Sequence, residues 1–156
     1  MKLPTVSGKN LLGEQLNFPH DFTAHMNLVL VAFDQYQQHD IDTWVPLAKD
    51  LAATNPDFAY YEFPVPGTMG PMGRTMLDYW MRQGIPNPET RALTVTLYMN
   101  RGDFYKPLGL PDDRQVYALL IRDDGEVLWQ AAGPLTDDNR AKLLTKLAQY
   151  RAEPKS

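Results

Sequence analysis

The chain has 156 residues and a formal net charge of −4, with its 15 Lys and Arg scattered along the sequence. One domain spanning 1–156 is the expectation at this length, and dispersed basic residues argue against a nucleic-acid surface or a polybasic membrane patch, both of which need concentrated positive charge. There is no cysteine, so the chain has no thiolate of its own with which to attack a disulfide or a peroxide.

The opening Met1-Lys2-Leu3-Pro4-Thr5-Val6-Ser7-Gly8 lacks the apolar core of a signal peptide, and the longest apolar run, Leu28 to Phe33, is too short to cross a bilayer. The expectation is a cytoplasmic protein that does not insert into a membrane, although disulfide usage gives no compartment clue here. Residues 1–15 and 153–156 are expected to be peripheral. Asn27 to Phe33 is a continuous apolar run rich in β-branched residues and reads as a mid-sheet strand buried on both faces.

After a polar loop, Asp42 is placed as the cap of a helix carrying Val45, Ala48, Leu51 and Ala52 on one face, with Pro46 near its start and Asn55-Pro56 at its end. Phe58 to Val65 reads as a second strand. The Pro- and Gly-rich segment from Pro64 to Gly73 reads as a loop, and Leu77, Trp80, Met81 and Gly84 mark the next helical face. Leu93 to Met99 is predicted to be a strand, followed by a loop through Lys106 to Pro111. Gln115 to Arg122 and Glu126 to Ala131 form an antiparallel pair joined by Asp123-Asp124-Gly125, whose Asp-Gly step suits a tight turn. Thr136 caps a last helix with Leu144, Leu147, Ala148 and Arg151 on one stripe. The order implies an α/β fold: a mixed central sheet with helices on both faces, and a C-terminal hairpin followed by a helix.

The chemically interesting residues have competing structural explanations. His39, Asp40 and Asp42 lie before a helix, with His20 and His25 earlier in the chain, and imidazole with carboxylate is the donor set of zinc and iron sites. No HxH or HExxH spacing preorganises them, and capping or solvation accounts for the acids, so no metal and no cofactor is expected. A small-molecule- or metal-dependent enzyme using His39 and the nearby carboxylates, with Asp40 or Asp42 as the other half of an acid–base pair, is the alternative. Met69 and Met72 offer either soft-metal ligands or an adaptable apolar contact. Tyr60, Tyr61, Tyr79 and Trp80 either line a pocket or pack in the core. Gly67, Gly70 and Gly73 do not make a phosphate loop, since Pro71 removes an N–H and no Lys-Ser/Thr follows.

Phe33, the helix-borne Pro46 and the interval between them match the active-site spacing of a thioredoxin-like protein of the redoxin type, and Leu120-Ile121-Arg122-Asp123-Asp124-Gly125 is similar to the Leu-Ile-Asp-x-Asp-Gly pattern of that family's final hairpin. The resemblance runs from about Leu16 to Leu147. It places the family's two cysteines at Gln38 and Ile41 and its cis-proline at Val116, so both halves of the redox site are replaced. The second half, through Tyr79-Trp80, Gly84-Ile85, Thr96-Leu97-Tyr98, Leu108-Gly109-Leu110, Val116-Tyr117 and Gly125-Glu126-Val127-Leu128-Trp129, resembles the mitochondrial ATP synthase assembly-factor family and its bacterial relatives. That resemblance implies protein contacts rather than catalysis. The expectation is a redox-inactive, protein-binding module whose surface comprises Gln35, Tyr36, Gln38, His39 and Asp40 together with Met69 and Met72, and neither thiol oxidoreductase nor peroxidase activity.

Overall fold

The computed structural model describes residues 1–151. Its centre is a four-stranded sheet of β3 (Met26–Ala32), β4 (Phe58–Pro64), β6 (Tyr117–Arg122) and β7 (Val127–Ala132), in the order β4-β3-β6-β7. β3 pairs parallel with β4 and antiparallel with β6, and β6 pairs antiparallel with β7. This mixture follows from the connections. The β3–β4 link runs through a helix, α1 (Gln38–Thr54), as a parallel pair requires, whereas β6 and β7 need only a tight turn. In that turn Gly125 holds φ +92, and Arg122 donates to both oxygens of Asp124 at 3.0 and 2.8 Å, pushing the Asp124 carboxyl down to about 2.

Side-chain alternation divides the core between the two faces. Val29, Val31, Tyr61, Phe63, Leu119 and Ile121 enter one cluster, which also receives Phe104 from α4 (Arg101–Tyr105). Leu28, Leu30, Tyr60, Ala118 and Leu120 point the other way, onto Ile41, Trp44, Leu47, Ala48 and Leu51 of α1 and onto Leu143 and Leu147 of α5 (Asp137–Arg151). β3 is therefore covered on both sides, as its unbroken apolar run predicts.

Several boundaries differ from the sequence reading. α1 begins at Gln38, so Asp42 lies inside it rather than at its cap, and the helix buries Ile41, Trp44, Leu47, Ala48 and Leu51. The earlier start comes from a 3₁₀ turn, Gln35–Gln37, nucleated by one buried side chain. Gln37 accepts from the N–H groups of Phe33 at 2.7 Å and Asp34 at 3.3 Å and donates to the Asp113 carbonyl at 3.0 Å. Residues 71–73 belong to α2 (Pro71–Gly84), because proline is well tolerated at a helix start, where its missing N–H has no intrahelical acceptor. The strand expected over 93–99 shrinks to β5 (Val95–Thr96), since Asn87 caps a short helix, α3 (Pro88–Leu93), by accepting from Glu89 and Thr90 N–H.

In α5 the buried positions are Leu143 and Leu147; Leu144 and Ala148 lie on the exposed side, and Arg151 pairs with Asp57 at 3.2 Å. Thr136 does accept from the Asn139 N–H at 3.0 Å, as expected of a cap. Residues 1–15 are not peripheral: they supply β1 (Val6–Asn10) and the start of β2 (Gln15–Phe18), and Leu3, Val6 and Leu11 are buried. β1 also pairs with β5, giving a second sheet ordered β2-β1-β5. A parallel bridge between Glu62 and Thr94 links the β4 edge to the segment that leads into β5. The expectation for 153–156 lies outside the described residues.

Candidate functional site

The degenerate redox segment sits where the chain leaves the C-terminal end of β3. Phe33 ends the apolar run, Asp34 is extended, and the 3₁₀ turn leads directly into α1. Gln38 occupies the first turn of α1, while Ile41 is 1% exposed and packs in the core. Val116, just before β6, is fully buried and accepts the Gly133 N–H through its carbonyl at 2.9 Å. A thiol is absent from all three positions, and the two on the sheet side serve packing.

A residue with no local sequence signal holds this region together. Arg101, the first residue of α4, donates through Nη2 to the Phe33 carbonyl at 2.7 Å, Asp34 Oδ1 at 2.9 Å and the Pro66 carbonyl at 3.2 Å. Its Nη1 donates to Asp113 Oδ2 at 3.1 Å and Asp34 Oδ2 at 3.3 Å. One planar guanidinium thus ties together the loop after β3, the loop after β4 and the loop before β6. Hydrogen bonding to Asp34, and then to Asp113, holds the group charged more firmly than an ordinary arginine.

Beside this clamp lies a cleft of about 670 Å³ between α1 and α2, floored by β3 and β4. α1 contributes Gln38, Ile41, Asp42, Val45 and Lys49, positions three and four apart that share one helix face; α2 contributes Leu77, Trp80, Met81 and Gly84. On the floor is Glu62, 5% exposed, which accepts from Gln38 Nε2 at 3.2 Å. The same nitrogen donates to Asp42 Oδ1 at 2.9 Å. Burial pushes the Glu62 carboxyl above the usual range and Asp42 adds to this, while the Gln38 hydrogen bond and Lys49 oppose it.

Of the residues expected to act together, Gln35, Gln38 and Met69 line this cleft; Tyr36, His39, Asp40 and Met72 are not among its lining residues. Tyr36 is 72% exposed and Met72 80% exposed, and His39 is exposed on the first turn of α1. His20 is exposed, and His25 pairs with Asp123 at 3.5 Å near the β6–β7 turn. Among the described residues no three His, Cys, Asp or Glu side chains converge as a metal site. The four aromatics divide by location, with Tyr60 and Tyr61 buried and Tyr79 and Trp80 about 60% exposed.

Three residues of consequence are not evident from motifs. Glu62 does leave a trace, since an acid between Tyr61 and Phe63 shares the strand face of buried Tyr60. Met76 continues the exposed row formed by Met72 and Tyr79 at helical spacing. Arg101 leaves none, because its partners are 12 to 68 positions away.

No protein-family model and no curated protein matches the chain. Solved structures do. The exposed lipoprotein thioredoxin of Streptococcus pneumoniae superposes with a TM-score of 0.61 at 13% identity, covering 93% of this chain and 99% of that one. The chain has a thioredoxin-like fold. A Sco-family protein, BsSco, gives 0.63 at 15% identity over 97% of this chain and 95% of its own. Peroxidoxin BcpB from Mycobacterium tuberculosis gives 0.57 at 13% identity over 99% and 97%. At these identities the likeness concerns architecture, and this thioredoxin-fold chain differs from any thiol enzyme in having no cysteine. Among the described residues no helix is long and apolar enough to cross a membrane.

Proposed function

We propose that the chain is a redox-inactive, assembly-factor-like module that binds another protein through residues 35–42, the loop 64–70 and the outer face of α2. The observation that carries this reading is the exposure of large apolar side chains around the degenerate redox loop. Tyr36, Met69, Met72, Met76, Tyr79 and Trp80 are between 38% and 80% exposed, and α2 buries no residue at all. An amphipathic helix normally hides one face against its own domain. Here the apolar side chains are available to a partner, and methionine's flexible thioether suits a surface that must adapt to another shape.

Two further points support an assembly role over catalysis. Thiol chemistry has no nucleophile in this chain, and the second-half resemblance is to assembly factors of a membrane complex. The Sco structure belongs to a family of cytochrome c oxidase assembly proteins. The proposed partner therefore presents an apolar patch to α2 and polar groups to Gln35, Gln38, His39 and Asp40. Affinity capture of the tagged chain from its own source, compared with a Tyr36→Ala/Met69→Ala/Met72→Ala variant, tests this. The variant should remain folded, because all three side chains are exposed, and should lose the partner that the parent chain retains. Retention at equal yield would place the contact surface elsewhere.

A further inference from the structure

We infer that the cleft between α1 and α2 binds an aliphatic primary ammonium, with Glu62 and Asp42 accepting from its nitrogen and Val45, Leu77, Trp80 and Met81 packing along its chain. The site goes beyond the protein-binding surface: it lies inside the cleft, shares only Asp42 and Trp80 with that surface and does not use Tyr36 or Met72. Its volume of about 670 Å³ falls within the range of small-molecule cavities, about 300–1,000 Å³, and such cavities are mostly apolar with a few converging polar groups.

The polar groups are unusually placed. Glu62 is 5% exposed at the edge of the sheet, and its carboxyl accepts a hydrogen bond from the Gln38 amide. A buried carboxylate with no cation bonded to it is costly to keep. Gln38 Nε2 already shows where a nitrogen donor sits, because it donates to Asp42 and to Glu62 together. An ammonium has three donors and a full positive charge, so it serves both carboxylates better than a neutral amide does. Gln38 is exposed, so its amide can turn to solvent when an ammonium takes over these two acceptors.

Charge selects the same ligand. Arg101 is already paired with Asp34 and Asp113, which leaves Asp42 and Glu62 against the single cation Lys49. α2 lines the cleft with Leu77, Trp80, Met81 and Gly84, and α3 and its two flanking residues with Asn87, Thr90 and Thr94; none carries charge. The titratable groups facing Glu62 are thus Asp42 and Lys49 of α1 and Tyr60 of its own strand. Because burial raises the Glu62 pKa, seating a cation beside it should lower that pKa and so favour proton release.

Calorimetry with n-octylammonium, n-octanol and n-octanoate separates the possibilities, because the three share one tail. Octylammonium should bind at least tenfold more tightly than either, and its enthalpy measured in buffers of different ionisation heat should show net proton release. Glu62→Gln should abolish both the preference and the proton release while leaving octanol unchanged. Asp42→Asn, at an exposed position whose hydrogen bond to Gln38 is retained, should weaken octylammonium about threefold even if Glu62→Gln does not fold. A short lysine peptide and its Nε-acetylated form tell whether the ammonium is taken from a free amine or from a protein side chain. Equal binding of octanol, tighter binding of octanoate with proton uptake, or an undiminished preference in either variant would overturn the assignment.

Discussion

Replacing Arg101 with Met removes the guanidinium while keeping an unbranched side chain that can pack in the same place. The lost contacts are two carbonyl acceptors, Phe33 and Pro66, and two ion pairs, with Asp34 and Asp113. Each carbonyl contact is worth about 1 kcal/mol net. The two carboxylates are 37% and 38% exposed, so screening limits each ion pair to about 0.5 kcal/mol. The sum is about 3 kcal/mol, which for a domain of this size lowers the melting temperature by about 6–12 °C. Amide hydrogen exchange should quicken at Phe33, Asp34 and Gln37, whose N–H bonds organise the loop, and much less in β3. Arg101→Lys keeps the charge but cannot reach four groups from one fork, and should recover less than half of the loss. A melting temperature within 2 °C of the parent, with unchanged exchange at these amides, would refute the clamp.

Metal-free protein should neither reduce insulin nor consume peroxide above a heat-denatured control, because no thiolate exists; turnover that purifies with the chain would contradict this. Gly8→Ala should cost about 2 kcal/mol in urea unfolding, since a Cβ there overlaps the Thr96 carbonyl oxygen across the short β1–β5 pairing, and a change below about 0.5 kcal/mol would show that the strands shift freely. Glu62→Gln should become more favourable as pH rises. The folded-state pKa of Glu62 lies above its unfolded value, so between the two the native chain binds the extra proton and parental stability falls with increasing pH; the variant lacks that decline. Denaturant titrations from pH 4 to 8 check this, and a stability difference that stays constant across the range would sink it.

How much of this could be read from the sequence depended on the range of the interactions. β3 was evident because seven successive side chains are governed by burial alone, and the Asp-Gly turn of the last hairpin because its chemistry is local. The start of α1 was not, because it depends on Gln37 reaching Asp113, 76 positions away. β1 escapes its sequence for another reason. Val6-Ser7-Gly8-Lys9-Asn10 carries one large apolar residue, and its strand identity comes from pairing with β2 and β5 rather than from its own pattern. In the candidate site, the exposed Tyr36, Met69 and Met72 were legible as unusual residues in a polar or Pro/Gly-rich context. The cleft was not, because it exists only where α2 stands beside α1, and no periodicity records the space between two helices.

The central claim, that the degenerate redox edge now serves as a protein-binding surface, is tested most directly by site-specific photocrosslinking in the native source. A benzophenone side chain placed at Tyr36 or Met72 reports on the proposed surface. The same probe at Asp123 reports on the other end of the sheet, because the β6–β7 turn lies beside Met26 at the start of β3. The account predicts a discrete, saturable adduct with one protein from positions 36 and 72 and none from 123. Adducts of equal yield from all three positions, or from 123 alone, would contradict it.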